Sequence, residues 1–256
     1  MPENNNNALA AQSNGFLQLA ETDLAQVLTE ELNGLDVTFE RVKIPSSGHT
    51  TFEVPGEDGE LESVKEFSGV ILHHHPLFAY YKTAYKGGNN PPDCGSFDGI
   101  AGQGDPGGLC KPCRLNQYGT GVNGGKACKN RRRIYILREG EIFPLLLSLP
   151  TGSLREFTKY LKRLITKGKR ANMVVTRFSL RKATNKGSVV YSQAMFTVDR
   201  DLTAEEQVVI SKMTDQIQAY SLQVSLDYDP ELDAVQDEAI IDPETGEIIE
   251  PLGGGR

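Results

Sequence analysis

Four cysteines, Cys94, Cys110, Cys113 and Cys128, lie in or just after a stretch from about Gly87 to Lys126 that is crowded with Gly, Pro, Asn and Asp. It carries almost no apolar periodicity. A connection of that length inside a compact domain has no hydrophobic source of order, so something else must hold it. The intervals between the cysteines are 15, two and 14 residues. A two-residue gap lets both sulfurs of one turn reach a tetrahedral ion, and longer intervals suit the other two ligands. Metal binding would then supply ordering free energy that a missing core cannot. Four thiolates complete the shell and leave no position for water, so the expectation is one Zn2+ in a structural role.

Rival readings of the same residues fare less well. A redox Cys-x-x-Cys pair normally opens a helix after a strand, whereas Cys110-Lys-Pro-Cys113 sits among glycines. A zinc deaminase needs His-x-Glu, which does not occur in the chain. His73-His74-His75 keeps two alternatives open: a histidine nitrogen replacing Cys94 on the metal, and a nuclease built on His73 and His75, which share a face if the segment is a strand. Polar strand residues are the plainer reading, and no catalytic role is assigned to any residue.

Charge is segregated. The formal net charge is −7, yet residues 81–190 hold 21 Lys and Arg against six acids, while residues 227–256 hold ten acids and one base. A basic centre between acidic ends suits a polyanionic partner at the centre. Lys129, Arg131, Arg132 and Arg133 follow the last cysteine directly and would meet phosphates, with Tyr135 on the same strand face as Arg133. Tyr81, Lys82, Tyr85 and Lys86 interleave rings with charge, the pattern on which unpaired bases stack. Lys159, Lys162 and Arg163 occupy one helix face, and Arg177, Arg181 and Lys182 lie along another strand. Single-stranded DNA is the expected partner, because aromatics accompany the charge and no helix-turn-helix or zinc-finger helix is apparent.

Periodicity supplies the elements. Leu17, Leu24, Leu28 and Leu32 predict an N-terminal amphipathic helix ending at Asn33-Gly34. Short strands are expected at Val37–Lys43, Thr51–Val54, Val70–His75, Arg133–Leu137 and Ile142–Leu149. Ser153 and Glu156 have the form of a capping box, before a helix that buries Leu154, Phe157, Leu161, Leu164 and Ile165 and ends near Gly168. Two strands follow, Asn172–Arg181 and Ser188–Val198. A second capping box, Thr203 with Glu206, starts a helix that carries Val209, Met213, Ile217 and Tyr220. The proline-containing acidic end predicts disorder. The longest apolar run falls far short of the roughly 20 residues of a spanning helix. The segment MPENNNNALAAQ has no secretory pattern, so a reducing, cytoplasmic setting is expected.

The runs Cys94-Gly-Ser-Phe-Asp-Gly, Gly-Gly-Leu-Cys-Lys-Pro-Cys and Gly-Lys-Ala-Cys-Lys-Asn-Arg-Arg-Arg, with Leu-Pro-Thr-Gly-Ser after them, resemble uncharacterised proteins of bacteriophages and mobile elements over roughly residues 68–181. More loosely, the layout is similar to the single-stranded-DNA-binding proteins of T-even phages, which have an OB-fold, a zinc loop and an acidic tail but use a histidine where Cys94 stands. The resemblance implies an α+β, mainly β chain: an OB-like small β-barrel with an inserted zinc-binding loop and additional helices. Residues 1–36 would be a helical segment, 37–222 the nucleic-acid-binding core with its zinc loop at 87–128, and 223–256 an acidic disordered tail. It also implies a non-enzymatic role in phage or mobile-element DNA replication or recombination, in a host bacterial cytoplasm, with the tail docking replication or recombination proteins. The alternative partner is duplex DNA or a polymerase, for a zinc-stabilised accessory factor.

Overall fold

A computed structural model of the chain describes residues 15–20, 23–31, 39–45, 48–56, 58–83, 92–121, 125–184 and 190–223. A 3-10 turn (Gly15–Leu19) and helix α1 (Leu24–Glu31) precede strands β1 (Arg41–Val42), β2 (Phe52–Pro55), β3 (Leu61–Val64) and β4 (Glu66–Tyr80). Three short strands, β5 (Cys94–Ser96), β6 (Ala101–Gly104) and β7 (Gly108–Leu109), lead to β8 (Lys129–Leu137) and β9 (Leu145–Leu149). Helix α2 (Thr151–Thr166), the hairpin β10 (Val174–Thr184) and β11 (Val190–Asp201), and helix α3 (Ala204–Gln223) follow.

The chain is α+β and mainly β. Nine of the described strands form one mixed sheet in the order β1-β9-β8-β4-β5-β6-β7, with β10 joined to β4 and β11 to β10. The sheet is open, so the expected OB-like barrel is corrected. The cause lies in β4, whose 15 residues serve two neighbours on the edge away from β8. Glu66–Val70 takes β10, and Phe78–Tyr80 takes β5. The ladder forks there and does not return on itself.

Each sheet face has its own core. On one, Phe157, Tyr160 and Leu164 of α2 pack on Ile71, Ile134, Ile136, Phe178 and Phe196. On the other, Ile210, Met213 and Ile217 of α3 pack with Phe16, Leu19 and Leu24 on Val70, Leu72, Tyr135 and Leu137. Alternating strand residues feed the two faces, which is why β8 is enclosed on both sides from Arg133 to Leu137. A bulge between Ile71 and His73 breaks the alternation once, leaving Leu72 and His73 both on Tyr135's face.

Several local expectations change. The N-terminal helix is a 3-10 turn and a separate helix, and Asp23 accepts from the Gln26 backbone N–H at the start of the second. Ser153 is no cap: Pro150 precedes the helix, and the buried Ser153 hydroxyl accepts from the Ala194 backbone N–H at 2.9 Å. Ile165 is 70% exposed, and Tyr160 takes the buried position on that helix. The Thr203–Glu206 box forms as expected, with reciprocal bonds of 2.9 and 3.2 Å. The stretch read as structureless contains β5, β6, β7 and a 3-10 turn at Arg114–Asn116, and so extends the sheet. The acidic tail lies outside the described residues.

Candidate metal centre and nucleic-acid surface

Backbone hydrogen bonds bring the cysteines together. Cys94 opens β5 opposite Gly104. Cys110 follows β7, its N–H bonded to the Ile100 carbonyl at 2.8 Å. Cys113 turns back on the Cys110 carbonyl at 3.3 Å, and Cys128 bonds the Leu115 carbonyl at 2.8 Å just before β8 begins. Asn116, which is buried, braces the turn by donating to the Cys110 carbonyl at 2.9 Å and accepting from Asn130 at 2.9 Å. Gly104, at φ +102°, is a position for glycine alone, because a Cβ there would stand 2.1 Å from the Asp93 carbonyl oxygen.

All four cysteines line one small cavity with Tyr80, Gly102, Pro106, Leu115 and Asn116. A Cβ on Gly102 would lie 2.9 Å from Cys94 Sγ and 3.8 Å from Cys110 Sγ, so both sulfurs close over that glycine. Burial, with the neighbouring thiols adding to it, pushes the Cys128 thiol up to about 12. Burial also raises Cys110. Among the described residues no three His, Cys, Asp or Glu side chains form a metal-holding group. Cys94 is the fourth member of the cavity. His73 and His75 lie elsewhere, with their ring centroids 5.7 Å apart and 6.0 and 5.8 Å from that of Tyr135.

The cations expected on β8 are mostly inside. Arg131 is 6% exposed, Arg133 2% and Tyr135 0%. The Tyr135 ring meets Phe39 edge-on at 5.1 Å. A ring so enclosed cannot stack on a base, and these three are corrected from surface contacts to interior residues. Arg132, on the other face, is partly buried and donates to His74 Nδ1 at 3.0 Å. Burial holds His74 down at about 3, so that acceptor is a neutral imidazole at ordinary pH. Lys129 is partly buried at the start of β8. Tyr81 packs with Leu77, Ala79 and Phe97. Lys82 is exposed and ion-paired with Asp105, and Arg177 is held between Asp199 and Glu66. Tyr85 and Lys86 lie outside the described residues.

What remains outside is one basic face. Arg155, Lys159, Lys162 and Arg163 of α2 are exposed. Arg163 reaches across to the Phe196 carbonyl of β11 at 3.4 Å, and Arg181 of β10 comes within 3.8 Å of Glu156. Gln193 of β11 bonds Arg181 Nε at 2.8 Å and the Gly152 carbonyl at 2.8 Å, so helix and hairpin present a continuous surface. Exposed Lys182 continues it. Tyr191, partly exposed, stands beside it: its hydroxyl lies 3.5 Å from Gln193, and both Arg181 and Glu156 act on its phenol, which burial raises. Tyr191 stands outside the run of rings interleaved with charge at residues 81–86. Its signal was the alternation of Tyr191 and Gln193 on the strand opposite Arg181 and Lys182. Glu156 is an acid among these cations, bonded to Lys159 at 2.7 Å.

No protein-family model matches the chain, and neither does any curated protein or solved structure. The described residues contain no helix long and apolar enough to cross a membrane.

Proposed function

We propose that this chain binds single-stranded DNA along the exposed face of α2 and the β10–β11 hairpin, and that one structural zinc ion held by Cys94, Cys110, Cys113 and Cys128 fixes the far edge of its sheet. The observation that carries the binding reading is the continuity of Lys159, Lys162, Arg163, Arg181 and Lys182 with the partly exposed Tyr191. Phosphates meet the cations, and Tyr191 supplies a platform for one base. Support for zinc comes from the convergence of all four thiols on one braced cavity. Thiolate donors in a tetrahedral set suit zinc and leave no site for a reacting water, so the ion orders the β5–β7 extension and carries out no chemistry. A role in phage or mobile-element replication or recombination, with the acidic tail as a docking segment, belongs to the same proposal.

The test is a titration of fluorescent oligonucleotides, single- and double-stranded, across a salt series. Tighter binding of single strands, with log affinity falling linearly against log salt, is the expected result. No binding at low salt would refute the reading, and equal affinity for duplex would replace it with a duplex-binding accessory factor.

A further inference from the structure

Arg133 is a cation in the wrong place for a protein interior. It is 2% exposed, its Nε has no hydrogen-bond partner, and none of the ion pairs among the described residues includes it. An uncompensated buried charge costs several kcal/mol, so folds keep one only where something supplies the counter-charge.

Its protein neighbours are dipoles and rings. The guanidinium charge acts on the Tyr135 hydroxyl beside it. Tyr135 in turn stands 3.3 Å from His75 Nε2, and His75 Nδ1 donates to the Pro76 carbonyl at 2.7 Å. Because Nδ1 carries the proton, Nε2 is the acceptor and the Tyr135 hydroxyl donates to it. Arg133 Nε is left without a partner. Phe97 closes one side, its ring centroid 5.9 Å from the guanidinium carbon and 5.3 Å from the His75 ring. Arg131, two residues along on the same strand face and 6% exposed, adds positive potential. His73 and His75 are only partly buried, so the cluster opens to solvent on their side. It occupies the stretch of β4 between Val70 and Phe78, where the edge away from β8 has no partner among the described strands.

We propose that this cluster is an oxyanion site, with Arg133 as its floor and His73 at its rim, and that it takes a phosphate group. The planar guanidinium fork matches two phosphate oxygens, and His73 can donate one N–H to a third without adding charge. Burial and Arg132 lower His73, and burial holds His75 at about 4, so both rings are neutral at ordinary pH and the guanidinium alone supplies the charge. The site lies on the α3 face of the sheet, opposite the surface assigned to DNA, so the two stand or fall separately.

The experiment measures thermal stability of the full chain against inorganic phosphate, with chloride at matched ionic strength as the control. Wild type should show a saturable rise in Tm. Arg133→Met should hold its Tm in phosphate-free buffer and lose the response. Should that variant fail to fold, His73→Gln at the rim carries the test, with a phosphate midpoint raised at least about tenfold, which is roughly 1.4 kcal/mol. Competition by a 5′-phosphorylated oligonucleotide, but not by its 5′-hydroxyl form, would identify a nucleic-acid end as the source, and competition by neither would identify a free anion. No saturable shift in wild type would overturn the proposal, as it would if the site were filled by a carboxylate of the chain itself. An equal shift in wild type and His73→Gln would overturn it too.

Discussion

Glu156 sits among the cations of the proposed DNA surface, and removing it is expected to strengthen binding. Lys159 Nζ lies 2.7 Å and Arg181 3.8 Å from its carboxylate, so two cations are partly neutralised by a single acid. Against its burial, a hydrogen bond from Lys159 and the charges of Lys159, Arg181 and Arg155 hold the Glu156 carboxyl below the usual carboxylate range, which means the pairs are formed at neutral pH. Glu156→Gln keeps the shape and frees both cations for phosphates. Each added contact on a single strand steepens the slope of log affinity on log salt by about 0.7, so one to two freed contacts predict about 0.7 to 1.4. Over a roughly tenfold dilution of salt, 10 to the power 0.7 is about fivefold in affinity per contact. The cost in folding should stay near 1 kcal/mol, the ordinary value for an ion pair whose lysine is largely solvated. Fluorescence anisotropy with an oligo-dT across salt, on protein shown by circular dichroism to be folded, reads both quantities. A folded variant whose slope and affinity equal those of wild type, or fall below them, would refute the placement of DNA on α2 and the hairpin.

Tyr191→Ala should cost roughly 1–3 kcal/mol of oligonucleotide affinity with the salt slope preserved, whereas Tyr135→Ala should cost about 3–5 kcal/mol of folding stability through the cavity it leaves; a Tyr135 variant that folds normally and loses only DNA binding would contradict its burial. Cys113→Ser should lower metal content, by elemental analysis, from about one zinc per chain and increase hydrogen exchange across residues 92–121. Zinc-free wild type purified without chelator would remove the ion. Glu206 is held at about 2 by a bidentate Arg200, against an ordinary value of 4.5. Its contribution is therefore full above pH 4.5 and is lost as pH falls towards 2, with an upper bound of about 3 kcal/mol, reduced by solvent around the 38% exposed Arg200. Urea melts should show Glu206→Gln losing most of the wild-type change in stability across that window, and parallel pH profiles would count against the reading.

The second capping box was legible because its chemistry is local: Thr203 and Glu206 are three residues apart, and Arg200, which also holds Glu206, leaves both cap bonds in place. Ser153 and Glu156 carry the same local pattern, yet the structure uses neither as a cap. Pro150, just after β9, sets the helix start one turn earlier, Ser153 is drawn to the Ala194 N–H of β11, and Glu156 is drawn to Lys159 and Arg181. A sequence pattern cannot show partners that arrive from a hairpin farther along the chain.

The sequence alone determined the strands with clear alternation, the helix faces of α2 and α3 apart from Ile165, and the grouping of four thiols whose spacing suits one ion. These follow from periods and intervals that one segment contains in itself. Only the tertiary structure decided which cations face water. Arg131, Arg132, Arg133 and Lys159 read alike in the chain, but β8 lies in the middle of an open sheet with a helix packed on each face, whereas α2 covers one face and leaves its own outer side free. Burial is a property of neighbours on both sides of a strand. The fork in β4 that places those neighbours is set by which edges meet in space, and no single segment encodes it.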